Sequence, residues 1–317
     1  MKKIFCIGEL LIDFVAENQG NDLSRATVFT KKAGGAPANV ACAISKLGGK
    51  SAFVGCIGDD PFGDFLLEVL TGNGVDTHLV QRSPTFTTLA FVSIAEDGER
   101  DFVFSRGADR ELAYQEPAGK ALNGNMLHLG AATALLGGPL ETAYDRYFKD
   151  ALLQGAFISF DPNFRHDLWK SREKEFVKKS LRFVEQAKLC KFSVEEARLL
   201  SGEADLVRAC EVLHKRGAET IVITLGAEGT YLSTPSGQQT IASIAITPVD
   251  TTGAGDAFIG CLLYLLSREK DPFEAAKKQE LMAGHVRIAN AAGALTTTRF
   301  GAIPSLPDQE ELKAVLQ

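Results

Sequence analysis

Nowhere in this 317-residue chain does an apolar run approach the ~20 residues that a bilayer-spanning helix needs. The start, Met1-Lys2-Lys3-Ile4-Phe5-Cys6-Ile7, has a short apolar patch before charged residues, so it reads as a first β-strand and not as a signal peptide. A membrane partner is therefore not expected. Cysteines are few and scattered: Cys6, Cys42, Cys56, Cys190, Cys210 and Cys261 include no C-x-x-C pair and sit singly in apolar or helical patterns. That usage is expected of reduced core residues in a cytoplasmic protein. The five histidines offer no i, i+4 pair suited to zinc. Basic charge is also short, with 34 Lys and Arg against 40 Asp and Glu. The resulting net charge of -6, with no basic stripe interleaved with aromatics, argues against nucleic acid as a partner. There is no G-x-x-x-x-G-K-[ST] phosphate loop and no G-x-G-x-x-G after the first strand, which counts against P-loop and dinucleotide enzymes. With no Gly/Ser linker, repeat or low-complexity tract, residues 1–317 read as one folding unit.

Strand-like runs are present at Ile4 to Ile7, Ser51 to Cys56, Met126 to Leu129, Phe157 to Asp161, Leu189 to Phe192 and Thr220 to Leu225. Helical patterns follow nearly all of them, which predicts an α/β fold with a mainly parallel sheet and helices on both faces. Val28 to Lys32, and Thr87 to Ala95 joined to Arg100 to Phe104 through Glu96-Asp97-Gly98-Glu99, alternate polar and apolar residues instead. They predict a small projecting β-sheet, with segments around 14–32 and 86–110. Its apolar alternation makes pairing with a second copy, a homodimer through this sheet, one expectation.

The chemistry concentrates in Asp250-Thr-Thr-Gly-Ala-Gly-Asp-Ala-Phe258. Gly253, Ala254 and Gly255 leave backbone N–H groups uncovered at the positive end of an apolar helix, a ready anion site. Asp256 is then either a base for a hydroxyl held at that point or a helix-capping residue after a Gly turn. Asp13, at the end of an apolar strand, is either a grip for sugar hydroxyls or a solvated strand-end carboxylate. Gly34 and Gly35 allow close backbone approach, and Pro37 and Asn39 open a helix through Leu47. Asn39 offers a donor and an acceptor to a polyol. Asp161-Pro-Asn-Phe-Arg165 ends another strand with a clustered carboxylate, amide and guanidinium. Glu196 is either a magnesium holder through water or a surface helix carboxylate. Thr224 to Gly229 offers a Gly-lined turn that could seat a nucleotide.

In this order and spacing, Gly34-Gly35 with Asn39, Gly58-Asp-Asp-Pro-Phe-Gly63, Asp161-Pro-Asn-Phe-Arg165 and Asp250-Thr-Thr-Gly-Ala-Gly-Asp256 resemble the ribokinase-like (PfkB-type) sugar kinases. The resemblance runs from the first strand to Ser305. Within that family, Gly34 to Ala41 and Asp161 to Trp169 look most like the fructokinases. It implies a three-layer α/β/α fold whose small sheet is a lid, and ATP-dependent phosphorylation of a hexose at a primary hydroxyl.

Carried over residue by residue, the resemblance implies Asp256 as general base and Gly253, Ala254 and Gly255 as the anion hole. Asp13, Gly34, Gly35 and Asn39 would hold the sugar, helped by Phe104, Arg106 and Arg165. The adenine nucleotide would lie along Thr224, Gly226 and Gly229 and near Asn290. Ser193 stands where the family commonly has Asn, next to the magnesium-holding Glu196. A monovalent cation, K+ by family pattern, would be ligated from Asp250, Thr252, Thr296, Arg299, Gly301 and Ser305. Fructose is the leading substrate. A 2-keto-3-deoxygluconate kinase, using Arg106 and Arg165 for a carboxylate, and a sugar sensor without turnover are the rival readings.

Overall fold

Strand Lys3–Ile7 sends Ile4 and Cys6 into one apolar cluster and Phe5 and Ile7 into another, as strand alternation requires of a sheet covered on both faces. A computed structural model describes residues 1–17, 23–94 and 100–316. The main sheet runs in the order Gly237–Ile241, Thr230–Thr234, Ile221–Thr224, Leu189–Ser193, Phe157–Phe160, Met126–Leu129, Lys3–Ile7, Lys50–Val54. From Ile221–Thr224 to Lys50–Val54 every pairing is parallel. The remaining edge is an antiparallel hairpin.

Helices Ala36–Lys46, Ala254–Arg268 and Gln279–Thr296 contribute to the cluster that holds Ile4 and Cys6. Gly138–Leu153, Glu173–Val184 and Leu206–Lys215 contribute to the other. The result is the expected three-layer α/β/α, ribokinase-like fold. All six cysteines are free and buried. Among the described residues no helix is long and apolar enough to cross a membrane.

The alternating segments form a separate four-stranded sheet, ordered Phe29–Gly34, Leu11–Ala16, Leu89–Ile94, Arg100–Ser105. Leu89–Ile94 and Arg100–Ser105 pair antiparallel as the alternation predicts, while the Glu96 to Glu99 turn lies outside the described residues. One expectation is corrected. Asp13 does not end its strand; it lies inside Leu11–Ala16, a strand of the small sheet, opposite Lys32. Gly8 and Glu9 interrupt the apolar patterning at the junction with strand Lys3–Ile7, and the change of direction falls at Gly8, with φ 148°. A β-carbon there would lie 2.3 Å from Ala131 Cβ, so the crossing requires glycine.

Leu11, Asp13 and Val15 share one face of the small sheet, which looks into a cleft. On the other face Phe14 stacks on Phe91 with ring centres 5.4 Å apart and meets Phe62 edge-on at 5.8 Å. Lys31 Nζ lies 3.7 Å over the Phe65 ring, so helix Pro61–Gly72 props the small sheet from behind.

Candidate active site

Helices Ala36–Lys46 and Ala254–Arg268 pack closely because Gly260 has no side chain; a β-carbon there would lie 2.7 Å from Ala43 Cβ. Both helices start at glycines without a side-chain cap, Gly35 at φ 110° and Gly253 at φ 79°. Their N-terminal ends both reach the wall of a cleft of about 500 Å³ between the main sheet and the small one, with the Ala254 N–H turned to Thr251 O at 3.4 Å. Gly253 must be glycine twice over, since a β-carbon would also lie 2.6 Å from Ala302 Cβ.

Asp256 is in the first turn of its helix and makes no cap, which removes the capping alternative. Its Oδ2 accepts from Asn39 Nδ2 at 2.8 Å. Burial raises its carboxyl above the ordinary range, against the opposing pull of the Asn39 bond, Lys191 and Arg165. A carboxyl of raised affinity for protons therefore faces the cleft beside a helix N-terminus. That pairing suits proton removal from a hydroxyl as an anionic group is transferred to it.

Around this centre the structure gathers Asp13, Gly35, Asn39, Phe104, Arg165, Ser193, Glu196, Asp250, Thr252, Gly253, Gly255, Asp256 and Gly301 along one cleft. Gly34 lies just behind, where a β-carbon would collide with the Asp13 carboxylate. Ala254 is the first residue of the helix. Arg106 is turned elsewhere: its Nη2 donates to Asp109 Oδ2 at 2.7 Å, and Asp109 is fully buried. Glu196 accepts from the backbone N–H groups of Phe164 and Ser193, each at 2.7 Å, while Ser193 Oγ accepts from Glu196 N at 3.1 Å. This capping box opens helix Val194–Ser201 and ties the 161–165 turn to it. Ser193 thus serves as the helix cap, and its hydroxyl keeps an O–H donor for a further partner.

Thr224, Gly226 and Gly229 stand outside the cleft wall, on the neighbouring strand end, where Ser193 and Thr224 are register partners. Asn290 is buried: its Oδ1 accepts from Thr230 Oγ1 at 2.6 Å and its Nδ2 donates to Ile241 O at 2.9 Å. It fastens helix Gln279–Thr296 to the edge hairpin. Asp250 Oδ1 accepts from Thr252 N at 2.9 Å and Oδ2 from Gly301 N at 2.8 Å. Thr296 Oγ1 bonds Ala292 O at 2.9 Å, and Arg299 donates to Ser305 O at 3.2 Å and pairs with Glu311 at 3.0 Å. Ser305 Oγ is buried with no partner among the described residues.

Two cleft residues escape the motif reading. Glu9, buried, accepts from Ala132 N at 3.2 Å and Thr133 Oγ1 at 3.1 Å, bracing the opposite wall. Burial raises its carboxyl above the usual range. Lys191, also buried, pairs with Asp161 at 2.9 Å. A lysine inside the apolar strand Leu189-Cys-Lys-Phe-Ser193 is the sequence signal that could have found it, because a charge in a covered parallel strand needs a reason.

An open helix N-terminus with a carboxylate in its first turn, beside the ends of parallel strands, is a layout that suits a phosphotransferase acting on an alcohol. The chain belongs to the pfkB family of carbohydrate kinases: the sequence model of the family described as pfkB family carbohydrate kinase matches residues 1–309. It is 39% identical to Fructokinase-1 of Zea mays over 321 aligned positions, covering 99% of this chain and 97% of that one. With the fructokinase of Vibrio alginolyticus it shares 35% identity, covering 98% of each. Among solved structures, a double mutant of fructokinase from Vibrio cholerae O395, in fructose, ADP and potassium ion bound form, superposes with a TM-score of 0.87. That pair is 33% identical and covers 100% of this chain and 99% of the other.

Proposed function

We propose that the chain is an ATP-dependent fructokinase, converting D-fructose and ATP to fructose 6-phosphate and ADP. The observation that carries the reading is Asp256 in the first turn of an uncapped helix, oriented by Asn39 and facing a sugar-sized cleft. In this mechanism the primary hydroxyl of the sugar lies against Asp256, which accepts its proton as the oxygen attacks the γ-phosphorus. The phosphorus bond to the β-phosphate oxygen breaks, and the N–H groups of Gly253 to Gly255 take up charge on the transferred group. Asp13, Asn39 and the backbone at Gly35 hold the sugar, with Phe104 as its apolar wall. ATP extends from the helix end past Ser193 onto the shelf from Thr224 to Gly229; Asn290 serves by fixing that shelf's hairpin.

Magnesium, bound with the nucleotide, would offset charge on its β- and γ-phosphates. Glu196 would hold it through water, each of its oxygens keeping acceptor capacity beyond the backbone N–H it already takes. Among the described residues no cluster of three or more His, Cys, Asp or Glu side chains forms a metal cage, which suits an ion carried by few carboxylates and substrate phosphates. The unpartnered Ser305 hydroxyl supports a monovalent cation, K+, where the segment with Arg299, Gly301 and Ser305 meets Asp250, Thr252 and the helix end at Thr296. Its ligands would include backbone oxygens together with the acceptor capacity left on the Asp250 carboxylate and on the Thr296 hydroxyl, which donates to Ala292 O. The small sheet, with segments around 14–32 and 86–110, acts as a lid on this single kinase unit and excludes water. A homodimer through that sheet completes the reading, and its reduced cysteines support a cytoplasmic location.

Arg106 bears on the choice of sugar. Its commitment to Asp109 leaves Arg165 as the cleft guanidinium of the two, which favours a neutral ketose over an acidic sugar. The test is an ADP-release assay over fructose, ribose, 2-keto-3-deoxygluconate, fructose 1-phosphate and adenosine, in wild type and Arg165→Ala. Fructose is expected to give the highest kcat/KM in the wild type. A higher value for the acidic sugar, lost selectively in Arg165→Ala, would instead make this a 2-keto-3-deoxygluconate kinase. Absence of turnover on every sugar would favour the sensor.

A further inference from the structure

Lys191 is a cation built into the floor of the site. It is 8% exposed, and its ammonium lies 2.9 Å from Asp161 Oδ2. A β-carbon on Gly255 would lie 3.2 Å from Lys191 Nζ, so the ammonium stands directly beneath the open N-terminus of helix Ala254–Arg268. The Asp161 contact leaves further N–H donors on it without a protein acceptor among the described residues, and its side chain lines the cleft. Burial works against the ammonium, but the carboxylates of Asp161, Glu196 and Asp256 outweigh it and keep the group charged.

The positive end of the helix opposes the ammonium, a cost that these carboxylates offset. A multiply charged anion in the space between the helix end and the ammonium would be attracted by both. This chain has no P-loop, and with it no P-loop lysine to meet the phosphates.

We propose that Lys191 is a further catalytic residue, whose ammonium contacts an equatorial oxygen of the transferred phosphoryl group from the side opposite the sugar. The inference rests on the phosphotransfer reading above. As the sugar oxygen bonds to phosphorus and the bond to ADP breaks, the hydroxyl proton passes to Asp256 and Lys191 keeps its own. Its positive charge and the Gly253 to Gly255 amides then share the developing charge. Asp161 holds the ammonium in place between turnovers.

The test compares Lys191→Met, which keeps side-chain length without charge, with Lys191→Met/Asp161→Asn, which removes the buried pair together. Affinities for fructose, ADP and ADP with aluminium fluoride, a mimic of the phosphoryl group in flight, are measured by calorimetry alongside kcat. Both variants are expected to bind fructose and ADP within about threefold of wild type, with kcat and the affinity for ADP with aluminium fluoride each reduced ~10²–10³-fold. Should Lys191→Met unfold because Asp161 is left buried and unpaired, the double variant carries the comparison. Recovery of kcat in the double variant, or equal losses for ADP and its aluminium fluoride complex, would reduce Lys191 to a counter-ion and overturn the proposal. A wild type that does not phosphorylate fructose would instead remove the reading on which it rests.

Discussion

Asp256 shows how one side chain couples the stability of the fold to its chemistry. Burial raises its carboxyl above the ordinary range, so below the unfolded value, about 4, both states carry the proton and there is no cost. As pH rises through the raised folded value, the ionised carboxylate must be kept in a poorly solvated place, and stability is lost. Asp256→Asn keeps the shape and removes that charge. Its melting temperature should exceed that of the wild type at neutral pH, with the gain vanishing below about pH 4. The same variant lacks the base, so turnover should fall ~10²–10⁴-fold while fructose affinity changes far less. Calorimetry against pH and steady-state kinetics check both; near-normal turnover in the folded variant would remove Asp256 from the chemistry.

At the scale of elements, the helix Ala254–Arg268 depends on a loop far from it in sequence. Gly301 N donates to Asp250 Oδ2, and Ala302 closes against Gly253, so the 299–305 loop braces the anion site. Thr297 O takes Val249 N at 2.7 Å and Asp250 N at 3.0 Å, fixing the other side. An ion held in that loop would stiffen the helix end. Activity should therefore rise when potassium replaces a bulky organic cation at constant ionic strength, as followed by ADP release. Equal rates in the two media would leave the Ser305 hydroxyl unexplained by a cation. Much of this element was legible beforehand: Gly253, Ala254, Gly255 and Asp256 follow from a local run of small residues before an apolar helix. The position of Asp13 was not, because Gly8 is the one local mark of the crossing and its need for glycine comes from Ala131, a contact distant in sequence. Arg106 was misleading for a similar reason, since its partner Asp109 is buried by Thr88 and the turn between them, contacts that alternation does not encode.

For the whole molecule, two roles are proposed for the small sheet, control of access to the site and pairing with a second copy. Its cleft face carries Asp13, Val15, Val92 and Phe104, and its borders expose Val28 at 48% and Val103 at 53%. Apolar side chains so placed beside strand edges favour pairing with a second sheet. Light scattering of the purified chain should give twice the 34.1 kDa mass, and Val103→Lys should return it to a monomer. A wild-type monomer at all concentrations would confine the small sheet to the role of a lid.

The sequence alone determined the layers, the parallel order implied by alternating strands and helices, and the glycine-lined start of the helix Ala254–Arg268. These are local properties, set by period, by small residues and by the absence of competing motifs. Only the tertiary structure decided which charges meet. Lys191 and Asp161 come from adjacent strands, Asn39 and Asp256 from helices more than two hundred residues apart, brought together where Gly260 lets the helices touch. Partner choice among buried charges is settled by packing, because desolvation makes every unpaired charge costly and only the folded chain shows which partners lie within reach.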